Sequence, residues 1–181
     1  TTYSIIYESD RGENLQPSID SLLTDFARSL SIYQPNSIIT RFNRNDPAAV
    51  ADSKFVEVFN KSKEVFTVTG GAFDITVGPV VNALGFGSSD TLEVDSLMID
   101  SLLQYVGMNK VSLSQGKLIK GNPNMKLDVN AIAQGYSVDL VARFLENRGI
   151  RNYMVEIGGE VRATGKNEKR SVWKIGIDKP Q

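Results

Sequence analysis

Two strands and a tight turn are predicted by one stretch of the sequence, Asn152-Tyr-Met-Val-Glu-Ile-Gly-Gly-Glu-Val-Arg-Ala-Thr164. Strand-forming residues lie on both sides of the Gly158-Gly159 pair, which predicts strands over Asn152–Ile157 and Glu160–Thr164. A connection this short joins antiparallel strands. A further strand is predicted over Val172–Asp178, so we expect the chain to close on antiparallel strands.

The sequence before these strands is mainly helical in pattern. Apolar residues spaced three and four apart predict four helices: over Pro17–Leu30, from Asp52 or Ser53 to Phe66, over Asp95–Tyr105, and over Tyr136–Asn147 with Gly149 as the cap. In the third helix, Leu97, Leu102 and Tyr105 are expected to face inward. The other predicted elements are an opening strand at Thr2–Glu8, a polar loop at Thr40–Asp46 and a hairpin at Val111–Ile119. Helices early and strands late favour an α+β fold, with helices packed on a mainly antiparallel sheet.

The composition restricts the chemistry that this chain can perform. Its 181 residues carry 20 Lys and Arg against 21 Asp and Glu, with neither histidine nor cysteine. Disulfides, cysteine nucleophiles and Ser-His-Asp triads are therefore excluded, and acid–base work falls to carboxylates, Lys or Tyr. A metal would be bound by oxygen, which favours Mg²⁺, Ca²⁺ or Mn²⁺. The near-neutral charge gives no reason to expect nucleic acid as a partner.

The first candidate site is a glycine-dense stretch, Thr69-Gly-Gly-Ala-Phe-Asp-Ile-Thr-Val-Gly-Pro-Val-Val-Asn-Ala-Leu-Gly-Phe-Gly87, which holds five of the 15 glycines. A loop with a short helix inside it is predicted here. Glycines let backbone N–H groups approach an anion, and Asp74 adds a hydrogen-bond acceptor. The pattern matches neither a Walker A loop nor G-x-G-x-x-G. A turn-rich connection, with Asp74 as a turn former, explains the same residues.

The second candidate site is Leu127-Asp-Val-Asn-Ala-Ile-Ala-Gln-Gly135. An aspartate at a strand end, then an irregular turn and a glycine before a helix, could present free carbonyl oxygens to a cation or a helix N-terminus to a phosphate. Alternatively, Asp128 or Asn130 serves only as a helix cap. Tyr33, close to Pro35, could stack on a planar ring or be an ordinary exposed tyrosine.

Several segments share their pattern with one known family. They are Gly71-Ala-Phe-Asp-Ile-Thr-Val-Gly-Pro79, Leu127-Asp-Val-Asn-Ala-Ile-Ala-Gln-Gly-Tyr-Ser-Val-Asp139, Val155-Glu-Ile-Gly-Gly-Glu160 followed by Gly165-Lys-Asn167, the opening strand Thr2–Tyr7, and Ser31–Ser37 with Arg41-Phe-Asn43. Together they resemble the ApbE family, the FAD:protein FMN transferases. The resemblance extends over the whole chain and implies an ApbE-like fold.

The resemblance implies an enzyme that binds FAD, cleaves its pyrophosphate with Mg²⁺ and attaches the FMN half to a threonine hydroxyl of a target protein, releasing AMP. Phosphoryl transfer depends on positioning and charge neutralisation, so an oxygen-bound metal suffices without histidine. An FAD pyrophosphatase that yields FMN and AMP, and a non-catalytic FAD-binding protein, are the alternatives. The implied partner is a flavin-accepting protein of the redox-driven pump or extracellular electron-transfer type.

Matching positions imply which residues of this chain would form the site. The residues implied to contact FAD are Tyr33, Ala72, Phe73, Asp74, Asp128 and Gln134. Ala131 is implied to offer its backbone carbonyl to the metal. Many family members carry Lys at the position of Gln134, so a charged contact to the pyrophosphate is not expected from this residue.

Family members are considerably longer than this chain. Their later part carries segments like Ser-His-Ile-Ile-Asp-Pro and Ala-Asp-Ala-Leu-Ala-Thr, the latter completing the metal site, and neither occurs here. Residues 1–181 are therefore expected to be the N-terminal portion of an ApbE-like domain, incomplete at its C-terminus. A second polypeptide that supplies the rest and a degenerate binding module are the alternatives. The family also implies export to the periplasmic side of the inner membrane or the cell surface, as a lipoprotein whose anchor is absent from this chain.

Overall fold

The computed structural model describes residues 2–86 and 95–176. The elements formed by these residues are, in chain order, β1 (Tyr3–Tyr7), α1 (Gln16–Leu30), α2 (Ile38–Asn43), α3 (Ser53–Val68), α4 (Gly78–Ala83), α5 (Ser96–Leu103), a 3₁₀ turn (Met108–Lys110), β2 (Val111–Ser114), β3 (Lys117–Lys120), α6 (Asn130–Glu146), β4 (Tyr153–Ile157) and β5 (Glu160–Thr164). The chain divides into a terminal unit, Thr1–Leu23 with Gln134–Gln181, and a central unit, Thr24–Ala133.

An antiparallel sheet of three strands, in the order β1-β4-β5, belongs to the terminal unit. Tyr3 of β1 lies opposite Ile157 of β4, and β5 pairs with the other edge of β4. Both glycines between β4 and β5 have positive φ, 58° for Gly158 and 96° for Gly159, a conformation that residues with a Cβ rarely adopt. The predicted pair of strands, its turn and the α+β fold class are confirmed.

The core of the terminal unit lies between this sheet and its helices. Tyr153, Val155 and Ile157 of β4 are buried, while the residues between them are partly exposed. Val141 and Leu145 of α6 are fully buried in the same apolar cluster. Burying a side chain of this size stabilises the fold by about 1.5–3 kcal/mol, so this contact is what holds α6 on the sheet.

A polar network also joins α6 to the strands of the terminal unit. The hydroxyl of Tyr153 donates to Glu146 Oε1 at 2.5 Å. Arg162 of β5 donates to the same carboxylate at 2.8 Å and to Asp139 at 2.7 Å. Burial, and after it the hydrogen bond to Glu146, raises the pKa of Tyr153 to about 12.

We expect Tyr153→Phe to remove a pH-dependent part of the stability. Because the pKa is raised from 10.0 to about 12 on folding, the contribution of the phenol is complete below pH 10 and is lost as the pH rises toward 12. Across this window the free energy of unfolding should fall more steeply in the native protein than in the variant. Urea titrations on either side of about pH 10 measure the difference, with Tyr105→Phe as the control. Equal slopes in native protein and variant would contradict the assignment.

The central unit contains the hairpin β2–β3 and a cluster of aromatic side chains. Gln115 and Gly116 form the predicted two-residue turn, with φ of 48° and 73°. α3 begins after Asp52, whose carboxylate accepts from the N–H of Phe55 at 2.8 Å, as the capping pattern predicted. The rings of Phe42 and Phe55 pack with their centroids 4.9 Å apart. The short helix expected in the glycine-dense stretch is α4.

Two predicted boundaries are wrong in ways that matter for the site. The segment 40–46, expected as a polar loop, lies partly in α2, because the hydroxyl of Ser37 accepts from the N–H of Thr40 and caps that helix. α6 begins at Asn130, not near Tyr136. Gly135 therefore lies inside a helix, where the sequence had suggested a turn before one.

Two further predictions fail for lack of burial or pairing. Leu97 is 76% exposed, not inward-facing, since α5 buries none of its residues; Leu102 and Tyr105 are half-buried. The strand predicted over Val172–Asp178 is not formed at residues 172–176, and its last two residues lie outside the described part. Among the described residues, no helix is both long and apolar enough to cross a membrane.

Candidate functional site

Backbone hydrogen bonds in the central unit join the two candidate segments of the sequence. The N–H of Asp128 donates to the carbonyl of Ile75 at 2.7 Å. Val77 and Lys126 form an isolated parallel bridge beside this bond. The two segments therefore pair like neighbouring strands, although they are far apart in the sequence.

Gly78 permits this close pairing. A Cβ at this position would lie 2.7 Å from the carbonyl oxygen of Lys126 and 3.0 Å from the carbonyl carbon. A side chain of any size would push the two backbones apart. Pro79 follows at the first turn of α4, where a missing N–H costs no hydrogen bond.

Asp74 is bound by groups of its own chain. Its Oδ1 accepts from the N–H and the hydroxyl of Thr76, at 2.7 and 2.6 Å, and its Oδ2 accepts from the N–H of Met108 at 2.9 Å. The hydroxyl of Thr76 in turn accepts from the N–H of Gly107 at 2.7 Å. A carboxylate has about four lone-pair sites, so three internal bonds leave room for about one bond to a ligand. Asp74 thus acts as a structural clamp, since it joins Thr76 to Met108, and it can still accept a hydrogen bond from a ligand.

Asn43 holds the other side of the segment that leads to Asp128. Its side-chain amide donates to the carbonyl of Leu127 at 2.9 Å, and its side-chain oxygen accepts from the N–H of Leu127 at 2.7 Å. The side chain therefore replaces the backbone of a neighbouring strand. With Ile75 bonded to the N–H of Asp128, the segment is held from both sides.

Lys120 supports the same segment from β3. Its ammonium donates to the carbonyls of Phe42 (3.1 Å), Pro123 (3.3 Å) and Met125 (2.9 Å). Burial, and after it the charge of Lys126, lowers the pKa of Lys120. All three donors of the ammonium are used, so we assign Lys120 a structural role.

We expect Asn43→Ala to destabilise the protein by about 2 kcal/mol, because two hydrogen bonds are lost and both backbone groups of the buried Leu127 are left unpaired. Urea unfolding measures the loss. Asn60→Ala, an exposed change on α3, is the matched control and should change stability by less than about 0.5 kcal/mol. Equal stability of the two variants would show that the bridge to Leu127 contributes nothing.

A cleft of about 540 Å³, called here the Phe73 cleft, lies where the paired segments meet. Its lining includes Ala72, Phe73, Asp74, Asp128, Asn130 and Ala131. Most of its surface is apolar, with the carboxylates of Asp74 and Asp128 among the few charged groups. Such a mixture of apolar wall and few polar groups is typical of small-molecule sites.

A second cleft of about 410 Å³, called here the Tyr33 cleft, includes Tyr33, Arg44, Lys126 and Asp128 in its lining. Tyr33 is 64% exposed, and its hydroxyl lies 3.5 Å from the side-chain amide of Asn130. Asp128 lines both clefts, while its Oδ1 accepts from the N–H of Asn130 at 2.8 Å. This hydrogen bond restricts the orientation of the carboxylate of Asp128, a residue that the linings of the two clefts share.

The structure brings together most of the residues that the sequence singled out. Of these, Ala72, Phe73, Asp74 and Ala131 line the Phe73 cleft, Tyr33 lines the Tyr33 cleft, and Asp128 lines both. Gln134 belongs to the terminal unit, where its amide donates to the carbonyls of Ile157 (3.2 Å) and Gly158. Whether these residues contact FAD stays a prediction.

Few oxygen ligands for the metal predicted at Ala131 are present among the residues that the structure describes. Ala131 lies in the first turn of α6, so its carbonyl is not freed by an irregular turn as the sequence suggested. Within residues 2–86 and 95–176 there is no group of three acidic residues that could hold a metal ion. The described residues alone therefore do not form a site fit for Mg²⁺, which prefers several oxygen ligands in octahedral geometry.

Sequence patterns missed the residues that assemble the site. Asn43 was part of a recognised segment, but nothing in the sequence indicated its bond to Leu127. Thr76 and Gly78 lie beside Asp74 in the sequence, and only the fold shows what they contact. Lys126 has no sequence signal beyond its place two residues before Asp128.

The fold is that of known flavin transferases. Flavin transferase ApbE from Vibrio cholerae superposes with a TM-score of 0.91 at 34% identity, over 98% of this chain and 60% of that one. The sequence model of the ApbE family matches residues 1–181, and the chain therefore belongs to the ApbE family.

Curated relatives of this chain carry an enzyme name. "FAD:protein FMN transferase" of Haemophilus influenzae is 37% identical over 99% of this chain, and that of Vibrio cholerae is 36% identical over 99%. In both comparisons the match covers 56% of the relative, so the chain spans about half the length of the curated relatives it matches. The resemblance inferred from the motifs is confirmed.

Proposed function

We propose that this chain is the N-terminal portion of an FAD:protein FMN transferase, which moves the FMN half of FAD to a threonine hydroxyl of a target protein and releases AMP. The match of the whole chain to the ApbE family carries the proposal. The chain spans about half of its curated relatives, so we expect activity only together with the remainder of the enzyme.

The two clefts support the binding of a dinucleotide. Their volumes, about 540 and 410 Å³, lie within the range of about 300–1,000 Å³ that is usual for ligand pockets. The exposed ring of Tyr33 offers a surface for the flavin, and Phe73 lies in the other cleft. We propose that Asp128, which lines both clefts, orients the middle of a ligand that occupies them.

In the chemistry that we propose, the main role of this chain is to bind and position FAD. Phosphoryl transfer is accelerated mainly by alignment and by neutralising charge on the phosphates. Mg²⁺ would supply that neutralisation, with Ala131 contributing at most one oxygen and the other ligands coming from outside the described residues. We therefore propose that Asp74, Asp128 and Tyr33 hold FAD.

One incubation tests the proposed function. The full-length protein is mixed with FAD, Mg²⁺ and an acceptor peptide that contains a threonine, and the products are separated by mass. We expect flavinylated peptide and AMP, and no product when the threonine is replaced by alanine. Free FMN with unmodified peptide would mean an FAD pyrophosphatase instead. Intact FAD that stays bound would mean a binding protein, and absence of any interaction would refute the proposal.

Partner and location are part of the same proposal. We propose a flavin-accepting partner with an acceptor threonine, of the redox-driven pump or extracellular electron-transfer type that the resemblance to the family implies. We also propose an exported lipoprotein on the periplasmic side of the inner membrane or at the cell surface. Cell fractionation with an antibody to this chain tests the location, and recovery in the cytosolic fraction would contradict it.

A further inference from the structure

The Tyr33 cleft contains two cationic side chains without an acidic partner among the described residues. One guanidinium nitrogen of Arg44 donates to the carbonyl of Pro35 at 3.3 Å, and this is the one side-chain hydrogen bond of Arg44 within the described part of the chain. Lys126 makes no side-chain hydrogen bond and no ion pair within residues 2–86 and 95–176. Both side chains are exposed and line the same cleft.

The position of Lys126 follows from its extended backbone. Met125, Leu127 and Val129 are at most 1% exposed, so the alternation of an extended segment places Lys126 and Asp128 on the opposite side. The structure shows no ion pair between these two side chains, although both lie on the same face of the segment. Lys126 therefore keeps its charge available to a ligand.

The charges of this cleft favour an anion. Arg44 and Lys126 contribute two positive charges, and Asp128 contributes one negative charge that already accepts a hydrogen bond from Asn130. Clefts lined mainly by one sign of charge concentrate counter-ions. A guanidinium and an ammonium together are typical phosphate ligands, and an aromatic ring in the same cleft favours a phosphate attached to a planar ring system.

We propose that Arg44 and Lys126 form a phosphate subsite in the Tyr33 cleft, which binds the phosphate of a flavin nucleotide while its ring lies against Tyr33. The inference rests on the proposed function, since it takes the ligand to be a flavin nucleotide. It goes beyond that function by assigning two binding residues and by predicting that the FMN phosphate, not only the flavin ring, is bound in this cleft.

The test compares FMN with riboflavin, which lacks the phosphate. In the full-length protein, Lys126→Ala and Arg44→Ala should each weaken FMN binding about tenfold, as expected for the loss of one charge-assisted contact, and leave riboflavin binding within about twofold. Lys63→Ala, which removes one exposed charge on α3, is the matched control and should leave both affinities unchanged. Thermal unfolding should show all three variants folded, because each side chain is exposed.

Each alternative result has a definite meaning. Equal losses for FMN and riboflavin, or no loss for either, would overturn the phosphate subsite while leaving the proposed function intact. Reduced flavinylation of an acceptor with unchanged FMN affinity would assign the two cations to an acidic acceptor segment and also overturn the subsite. If the native protein bound neither FMN nor riboflavin, the subsite would be overturned, while the incubation with FAD and the acceptor peptide would still decide the proposed function.

Discussion

Asp74→Ala should destabilise the protein by about 3 kcal/mol and weaken FAD binding more than about tenfold. Three hydrogen bonds to a carboxylate are lost, and each such bond contributes about 1.5–3 kcal/mol, with partial compensation by water because the side chain is half-buried. The N–H groups of Thr76 and Met108 lose their acceptor, so the wall of the Phe73 cleft loosens. Urea unfolding and fluorescence titration with FAD measure the two effects.

The control for Asp74→Ala is Thr76→Val. It separates the effect of the position of Asp74 from the effect of a direct contact between Asp74 and FAD. Thr76 is fully buried and does not line the Phe73 cleft, yet its hydroxyl joins Asp74 to Gly107. We expect this variant to weaken FAD binding as well, by less than Asp74→Ala does. If Thr76→Val left FAD binding untouched while Asp74→Ala abolished it at unchanged stability, Asp74 would act by direct contact alone and the clamp would be unimportant.

Gly78→Ala should also destabilise the protein by about 3 kcal/mol, at the upper end of the usual cost of overpacking. The added Cβ would lie 2.7 Å from the carbonyl oxygen of Lys126, which is backbone and cannot rotate away. The bridge between Val77 and Lys126 must open, and Asp128 moves with it. We therefore expect weaker FAD binding at temperatures where the variant is still folded.

Gly135→Ala is the matched control, since it adds the same methyl group with no atom within 4 Å and inside α6. Alanine is the better helix former by about 1 kcal/mol, so this variant should be equally stable or more stable than the native protein. Thermal unfolding of both variants tests the contrast. If the Gly78→Ala variant unfolded at the same temperature as the native protein, the two backbones would separate without a cost in stability.

Local elements were predictable where short-range physics dominates. The turn at Gly158-Gly159 and the hairpin around Gln115-Gly116 need positive φ, and glycine marks such positions in the sequence. The cap of α3 at Asp52 is equally local. By contrast, α6 extends through Gly135, because burial of its apolar face in the core outweighs the low helix propensity of one glycine.

The sequence was sufficient for the identity of the motifs, the family and the α+β class, because these depend on residue types and their order. Because these 181 residues contain neither histidine nor cysteine, the sequence also restricts any metal ligands that they could supply to oxygen. The pairing of Ile75 with Asp128 and the bridge from Asn43 to Leu127 depended on the folded chain. These bonds join residues that are distant in the sequence. No local sequence pattern predicts them, because they form only when separate segments pack together.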